Sequence, residues 1–235
     1  MPVPPLVETV NVGRAEVNPH KRNVGATGFG KHPTAEPVRV RAPGPKQVGG
    51  AGSGLVGDFI GDRRHHGGDL QAVYAYQRED LDRWAGELGR DLPNGAFGEN
   101  LTTSGIDLAE VLVGERWLVG TGEDEASSVV LEVTVPRIPC ATFAGRLGER
   151  GWVKRFTADG RTGTYLRVVR AGQVRSGDPI RVVSSPEHDV TVGLVFRATT
   201  TRRDLLPRLL AARDHLEPET IALAEQGRTF VLDDA

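Results

Sequence analysis

The sequence predicts a mainly β protein, a barrel or sandwich of short strands followed by a small helical extension. Short apolar segments with the alternation typical of strands recur as far as residue 196, and glycine-containing turns separate them. The regular alternation of strands and helices that predicts a parallel sheet is missing. Residues 204–212 and 218–226 instead have the apolar spacing of helices, and Pro218 is suited to a first helical position.

These segments divide the chain into two regions. We expect a β-barrel-like body with a few helices over residues 1–187, and a C-terminal strand with helices over residues 188–235. Within the body, residues 77–88 form an amphipathic helix that places Leu81, Trp84 and Leu88 on one face. The predicted strands are residues 6–12, 38–41, 72–76, 101–103, 111–120, 129–135 and 190–196, with further strands inside 160–169 and 172–183.

Two segments are predicted to be loops. Residues 14–37 are polar and lack periodicity, and residues 43–54 (PGPKQVGGAGSG) have the composition of a flexible segment. No compact domain fits before residue 43, so we interpret the second segment as a mobile loop over one domain. Residues 152–156 are ambiguous in their pattern.

Composition excludes several classes of protein. The 235 residues are 38% hydrophobic and 26% charged, as in ordinary globular proteins, and the formal net charge of −2 gives no general attraction to nucleic acid. No apolar run is long enough to cross a bilayer and no signal-peptide pattern is present, so we expect a cytoplasmic protein without a membrane partner. The single cysteine, Cys140, excludes an internal disulfide and a zinc site of several thiolates.

The most informative stretch is residues 133–147 (VTVPRIPCATFAGRL), where two prolines stop an apolar strand before a short helical pattern. Arg137 lies between the prolines and Cys140 follows the second one. Unpaired N–H groups at a helix start and a neighbouring guanidinium both favour the thiolate, so this stretch can provide a reactive or ligand-binding sulfur. It also fits a buried structural cysteine in a loop stiffened by proline. Both interpretations stay open on these residues alone.

Three polar turns that precede predicted strands supply further candidates. Paired glycines can present backbone N–H groups to an anion, and a basic side chain at a glycine turn can do the same. His65 and His66 are adjacent, so on an extended chain only one of them would face a site, and their spacing matches no zinc signature. Ordinary turn chemistry explains each turn equally well. The candidates are His66, Gly67, Gly68, Glu99, Asn100, Arg161 and Thr162.

In their order along the chain, these motifs resemble MOSC domains, the family named for the C-terminal domain of molybdenum cofactor sulfurase. The stand-alone bacterial, YiiM-like branch is the most similar. The resemblance covers about residues 7–183, and residues 190–226 are similar to the helical extension of that branch. Gln71 departs from the pattern, since the branch often has a lysine there, and any contact of that lysine with an anionic cofactor would be weaker here. The motifs are His66-Gly67-Gly68 with residues 72–76 (AVYAY), 97–101 (FGENL), 136–140 (PRIPC) and 160–163 (GRTG).

The resemblance implies a β-barrel-like fold that binds a molybdenum–pterin cofactor. Stand-alone members are associated with the reduction of N-hydroxylated compounds such as hydroxylaminopurine, a detoxification role. Cys140 would be the molybdenum ligand or a sulfur carrier, and His66 would assist catalysis. Because no flavin, haem or iron–sulfur motif is visible, electrons for a small-molecule substrate would come from a reductase partner. Pyridoxal phosphate belongs to a separate domain of the full-length sulfurase, so none is expected here. The implied cofactor contacts are Arg137, Gly67, Gly68, Glu99, Asn100, Arg161 and Thr162.

Two other functions stay open. A non-catalytic carrier would bind molybdopterin, or pass on sulfur, without turnover, and its pterin affinity would tolerate Cys140→Ser. A cysteine hydrolase or transferase would use Cys140 as nucleophile and His66 as base, although the sequence offers no clear third member of a triad. The sequence predicts neither the physiological substrate nor the oligomeric state.

Overall fold

The computed structural model of the chain describes residues 4–21, 24–46, 52–122, 128–230 and 232. Within them the strands are β1 (Leu6–Gly13), β2 (Glu16–Val17), β3 (Ala26–Thr27), β4 (Lys31–Thr34), β5 (Val38–Val40), β6 (Val73–Gln77), β7 (Leu101–Ser104), β8 (Arg116–Gly120), β9 (Ser128–Pro136), β10 (Thr164–Arg170), β11 (Gly172–Val174) and β12 (Ile180–Ser184). The α-helices are α1 (Arg78–Leu88), α2 (Ala141–Leu147), α3 (Trp152–Asp159), α4 (Val192–Thr200) and α5 (Pro218–Gln226), and 3₁₀-helices lie at Asp69–Gln71 and Arg203–His215.

An eight-stranded sheet dominates the structure and confirms the mainly β, barrel-like prediction. Its strand order is β12-β8-β9-β10-β6-β7-β1-β4, and β6 and β7 are its parallel pair. The sheet bends round until β1 meets the segment before β12. There Val7 donates its backbone N–H to the Asp178 carbonyl at 2.9 Å, and Leu6 and Pro179 form an isolated bridge. Among the described residues no continuous ladder joins β1 to β12, so the barrel is not closed.

The two faces of the sheet support two hydrophobic clusters. Along β6, Val73 and Ala75 belong to the larger cluster, whereas Tyr74 and Tyr76 belong to the second one. This division follows from the two-residue period of side chains on a strand. The larger cluster continues from the sheet into the C-terminal helices. The second, which we call the aromatic cluster, contains Phe97, Phe143, Trp152 and Phe156 and holds α1, α2 and α3 against the sheet.

Two predicted strand segments are wrong. Residues 190–196 lie at the start of α4, where the Thr191 side chain caps the helix by accepting the Leu194 N–H at 3.1 Å. Burial of the helix in the larger cluster overrides the strand preference of its β-branched residues. Residues 111–115 form a turn before β8, with Gly114 at a φ of +90°.

The structure also assigns regular elements to one segment predicted as a loop and one segment left ambiguous. Residues 14–37 contain three short strands, and residues 152–156 belong to α3. Residues 47–51 of the predicted mobile loop lie outside the described residues. The division between residues 187 and 188 stays a prediction, and side chains from both sides of it meet in the larger cluster. No helix within the described ranges is long and apolar enough to span a membrane.

Shared packing predicts that Leu209→Ala destabilises the sheet as well as the C-terminal helices. Leu209 is fully buried in the larger cluster, and truncation of a buried leucine costs about 2–5 kcal/mol. Urea unfolding followed by tryptophan fluorescence measures the effect, because Trp117 lies in the same cluster. Exposed Arg208→Ala is the control, with a change of about 0.5 kcal/mol or less. A fluorescence transition that Leu209→Ala leaves unchanged would contradict the shared core.

Candidate functional site

A pocket lies where β9 ends and α2 begins, beneath the segment that carries β2 and β3. It encloses about 720 Å³ of empty space, including the part open to solvent. Five of the residues predicted to form a site line it: Cys140, His66, Arg137, Gly67 and Asn100. Residues that the sequence did not single out also line it, among them Lys21, Lys31, Asp58, Tyr74 and Tyr165.

Cys140 lies at the start of α2 as its N-cap residue. Its thiol is free and half-buried, and its backbone carbonyl accepts the Ala144 N–H at 3.0 Å. Residues 137–140 link β9 directly to α2, so this tight connection brings Arg137 and Cys140 into one pocket. The predicted strand, proline stop and short helix are therefore present where the sequence placed them.

Arg137 is a buried cation without an acidic partner. It is 4% exposed, and its Nη1 donates to the Phe97 carbonyl at 3.0 Å. The guanidinium lies over the rings of Tyr74 and Phe143, each 4.8 Å from the ring centroid. Its Nε has no hydrogen-bond partner, and no described carboxylate forms an ion pair with it. A buried charge without a counter-charge is costly, so this guanidinium fits an anionic ligand.

The pKa of Arg137 favours the charged form. Burial alone lowers the pKa, but the nearby Tyr74, Tyr165 and Cys140 outweigh it, and the net shift is upward. The guanidinium therefore remains protonated even though it is enclosed by aromatic rings.

The sequence analysis missed an ion pair inside the pocket. Lys31 Nζ and Asp58 Oδ1 are 2.5 Å apart, and their side chains are 7% and 1% exposed. Asp58 also accepts from Asn100 Nδ2 at 2.9 Å and from the Gly13 N–H at 2.7 Å. Burial lowers the pKa of Lys31 more than the attraction of Asp58 raises it. At the rim, Lys21 and Asp62 form a second pair at 2.7 Å, so both pocket lysines have carboxylate partners.

His66 is the histidine of its pair that lines the pocket. Burial, with the positive charge of Arg137, lowers the pKa of His66 to about 4, so the ring is neutral near pH 7. His65 is exposed and contacts Asp62 at 3.0 Å.

Gly67 lines the pocket with a φ of +84°, a conformation in which glycine is favoured. Gly68, at a φ of +82°, packs beside Lys46 outside the pocket.

Glu99 does not line the pocket. It is fully buried, and its carboxylate accepts the backbone N–H of Gly95 at 2.6 Å and of Phe97 at 3.0 Å. The Thr102 hydroxyl donates to the same carboxylate at 2.9 Å. Burial raises the pKa of Glu99 despite these hydrogen bonds. The carboxylate holds together the turn that presents Phe97 to Arg137.

Arg161 and Thr162 also lie outside the pocket lining. Arg161 donates to Asp80 and to Asp107, both at 2.8 Å, so its charge is already balanced. The Thr162 carbonyl accepts the Tyr74 hydroxyl at 2.8 Å. Of the two arginines proposed to hold an anion, only Arg137 faces the pocket without a carboxylate. Ligand contacts by Glu99, Arg161 and Thr162 stay predictions.

The pocket fits a transition-metal cofactor that brings its own additional ligands. Within the described ranges, no group of three or more histidine, cysteine or acidic side chains could hold a metal ion. The pocket is lined by one soft thiol at Cys140, suited to a transition metal, and by the Arg137 guanidinium, which has no carboxylate partner among the described residues and suits an anionic group on the same ligand.

Comparison with known proteins identifies the family that combines this barrel-like sheet with this chain's cysteine and arginine motif. The family profile described as MOSC domain matches residues 62–181. Uncharacterized protein YflK of Bacillus subtilis (strain 168) is 31% identical over 191 residues, which make up 81% of this chain and 79% of YflK. The chain therefore belongs to the MOSC domain family.

Two further comparisons concern fold and length. The crystal structure of YiiM from Geobacillus stearothermophilus has a TM-score of 0.73 at 22% identity and covers 95% of this chain and 99% of YiiM. This similarity of fold agrees with the predicted YiiM-like type. A protein named Reductase from Gibberella moniliformis (strain M3125 / FGSC 7600) is 32% identical over 160 residues, which are 66% of this chain and 27% of the fungal protein.

The lowered pKa of His66 predicts a loss of stability in mild acid. Unfolded His66 takes up a proton below about pH 6.5 and folded His66 only near pH 4, so stability falls as the pH drops between these values. We expect the wild type to lose roughly 1–2 kcal/mol more than His66→Gln over this window, since part of the ring is exposed. Urea unfolding at pH 4.5 and pH 7 measures the difference.

The control for this measurement is His32→Gln, which changes an exposed histidine. It should keep the pH dependence of the wild type. If His66→Gln and the wild type lose the same stability between pH 7 and pH 4.5, the proposed burial of neutral His66 is wrong.

Proposed function

We propose that this protein binds the molybdenum cofactor in the pocket and reduces N-hydroxylated compounds there. The observation that carries the proposal is the convergence of Cys140 with Arg137, a buried cation that lacks an acidic partner. Membership of the MOSC family and the name of the fungal relative, Reductase, support the general theme. The bound cofactor would supply electron transfer at a metal centre next to the substrate.

The residues of this chain would hold the cofactor in distinct ways. Cys140 would ligate the molybdenum through its sulfur, and Arg137 would bind an anionic group of the pterin through its guanidinium. Gly67 would allow close approach of the backbone, and neutral His66 would donate an N–H to a ligand oxygen. Asp58 would act indirectly, because it orients Lys31 and Asn100 at the pocket wall.

Electrons would come from a separate protein. The matched segment makes up 27% of the fungal Reductase, so most of that protein lies outside the region similar to this chain. We propose that a reductase partner supplies reducing equivalents to this chain, and that the reaction takes place in the cytoplasm. A carrier that delivers molybdopterin, or passes on sulfur from Cys140, is the alternative that the same pocket supports.

Cys140→Ser should abolish molybdenum binding without unfolding the protein. Serine keeps the size of the side chain and removes the soft ligand. Metal analysis and pterin fluorescence, on protein from a host that makes the cofactor, would show stoichiometric molybdenum and pterin in the wild type and molybdenum loss in the variant. Wild-type protein that contains neither, and does not bind added cofactor, would contradict the proposal. Cofactor bound without turnover of any N-hydroxylated compound would favour the carrier.

Arg137→Met and Arg161→Met should distinguish the contributions of the two arginines to cofactor affinity. Methionine fills the space between the aromatic rings but carries no charge, so Arg137→Met should weaken pterin binding at least tenfold, given about 1.5–3 kcal/mol for a hydrogen bond to a charged group. Arg161→Met should retain wild-type affinity, because Arg161 contacts Asp80 and Asp107. Equilibrium binding of purified cofactor, with circular dichroism to verify folding, provides the measurement. Equal affinities of the two variants would remove Arg137 from the proposed site.

A further inference from the structure

The chain has three tyrosines, and two of their hydroxyl groups already have protein partners. Tyr74 donates to the Thr162 carbonyl at 2.8 Å, and Tyr76 donates to the Arg161 carbonyl at 3.1 Å. Tyr165 lines the pocket, and its hydroxyl forms no hydrogen bond with any residue in the described part of the chain. The hydroxyl oxygen is also absent from the set of fully buried side-chain atoms that lack a hydrogen-bond partner, so it is not shielded from the pocket. It is therefore accessible to a ligand.

The register of the sheet places Tyr165 beside the segment that carries Cys140. Thr164 pairs with Pro136, the last residue of β9, and Tyr165 pairs with Tyr74 on β6. Leu166 points into the larger hydrophobic cluster, so Tyr165 lies on the opposite face of the sheet, with its ring centroid 5.1 Å from that of Tyr74. The backbone ladder thus fixes the tyrosine ring at the pocket.

The surroundings of Tyr165 keep its hydroxyl protonated. Burial raises its pKa, the charge of Arg137 acts in the opposite direction, and Cys140 adds to the upward shift. Arg137, Cys140 and the neighbouring Tyr74 are thus ionisable groups that act on this tyrosine. Near neutral pH the hydroxyl is a donor that faces the proposed substrate site.

We propose that Tyr165 is a catalytic residue whose hydroxyl donates a hydrogen bond, and then its proton, to the oxygen of the N-hydroxyl group. This inference rests on the proposed function. Reduction breaks the N–O bond, consumes two electrons and two protons, and forms an amine and water. The electrons are those that the reductase partner supplies through the cofactor. The Tyr165 proton leaves with the hydroxyl as water, the second proton reaches the nitrogen from solvent, and solvent then reprotonates Tyr165.

The other polar groups of the pocket are less suited to this step. His66, with a pKa of about 4, lacks the acidic proton of an imidazolium near pH 7. The ammonium groups of Lys31 and Lys21 contact Asp58 and Asp62. Arg137 does not release its proton in proteins. With Cys140 assigned to the metal, Tyr165 is therefore a lining residue that combines a proton donor with the lack of a protein partner among the described residues.

Paired ligands and paired variants test this role through binding, before any turnover. Hydroxylaminopurine and adenine differ only in the N-hydroxyl oxygen. Calorimetric titrations use cofactor-loaded, oxidised protein without reductant. Tyr165→Phe should lower the affinity for hydroxylaminopurine about fivefold, which corresponds to one typical hydrogen bond, and leave the affinity for adenine unchanged. Tyr76→Phe is the matched control, because it removes a hydroxyl that contacts the protein, and it should bind both ligands as the wild type does. With reductant added, Tyr165→Phe should lower kcat about 100-fold.

Each other outcome overturns the role of Tyr165. An equal loss for both ligands means that Tyr165 only shapes the pocket, and wild-type binding and kcat in Tyr165→Phe mean that its hydroxyl is not used. If the wild type itself binds hydroxylaminopurine no better than the buffer blank and reduces no N-hydroxylated compound, the proposed function fails and this inference fails with it. Wild-type behaviour alone therefore distinguishes the two failures.

Discussion

The buried guanidinium of Arg137 is the interaction on which the pocket depends. Three aromatic rings, those of Phe29, Tyr74 and Phe143, surround it at 4.8–5.3 Å, and one backbone carbonyl accepts from it. Cation–π contacts offset part of the cost of removing this charge from water, but no described carboxylate neutralises it. The pocket lysines, by contrast, each contact an aspartate. Arg137 is thus the charge in the pocket that most needs an anionic ligand.

The sheet explains why this charge lies beside a thiol and a phenol. Strand β9 ends at Pro136, and the next four residues lead into α2, which keeps Arg137 and Cys140 together. Strand β10 pairs with the end of β9 and brings Tyr165 to the same place. Because side chains alternate along a strand, the aromatic cluster forms on the face opposite the larger cluster. The rings around Arg137 are therefore a consequence of the same alternation that builds the core.

The sequence was most informative where functional side chains lie within a few residues of a proline or glycine that sets the local backbone. Cys140, Arg137, His66 and Gly67 lie in short motifs with proline or glycine, and they meet in one pocket. Lys31 and Asp58 were missed because they are 27 residues apart, one at the start of the short strand β4 and the other in a loop, and only tertiary contacts pair them. Similarly, a basic residue at a glycine turn does not reveal its acidic partners, so the contacts of Arg161 with Asp80 and Asp107 could not be predicted. Helix α4 was predicted as a strand because its β-branched residues outweighed the cap at Thr191.

The central claim is that one pocket holds molybdenum at Cys140 and an anionic group of the cofactor at Arg137. The most direct measurement is a crystal structure of protein purified from a host that makes the cofactor, with anomalous diffraction recorded at the molybdenum edge. We expect an anomalous peak within bonding distance of Cys140 Sγ, and cofactor density that extends to the Arg137 guanidinium. A peak at another position, with Cys140 and Arg137 free of ligand, would contradict this account.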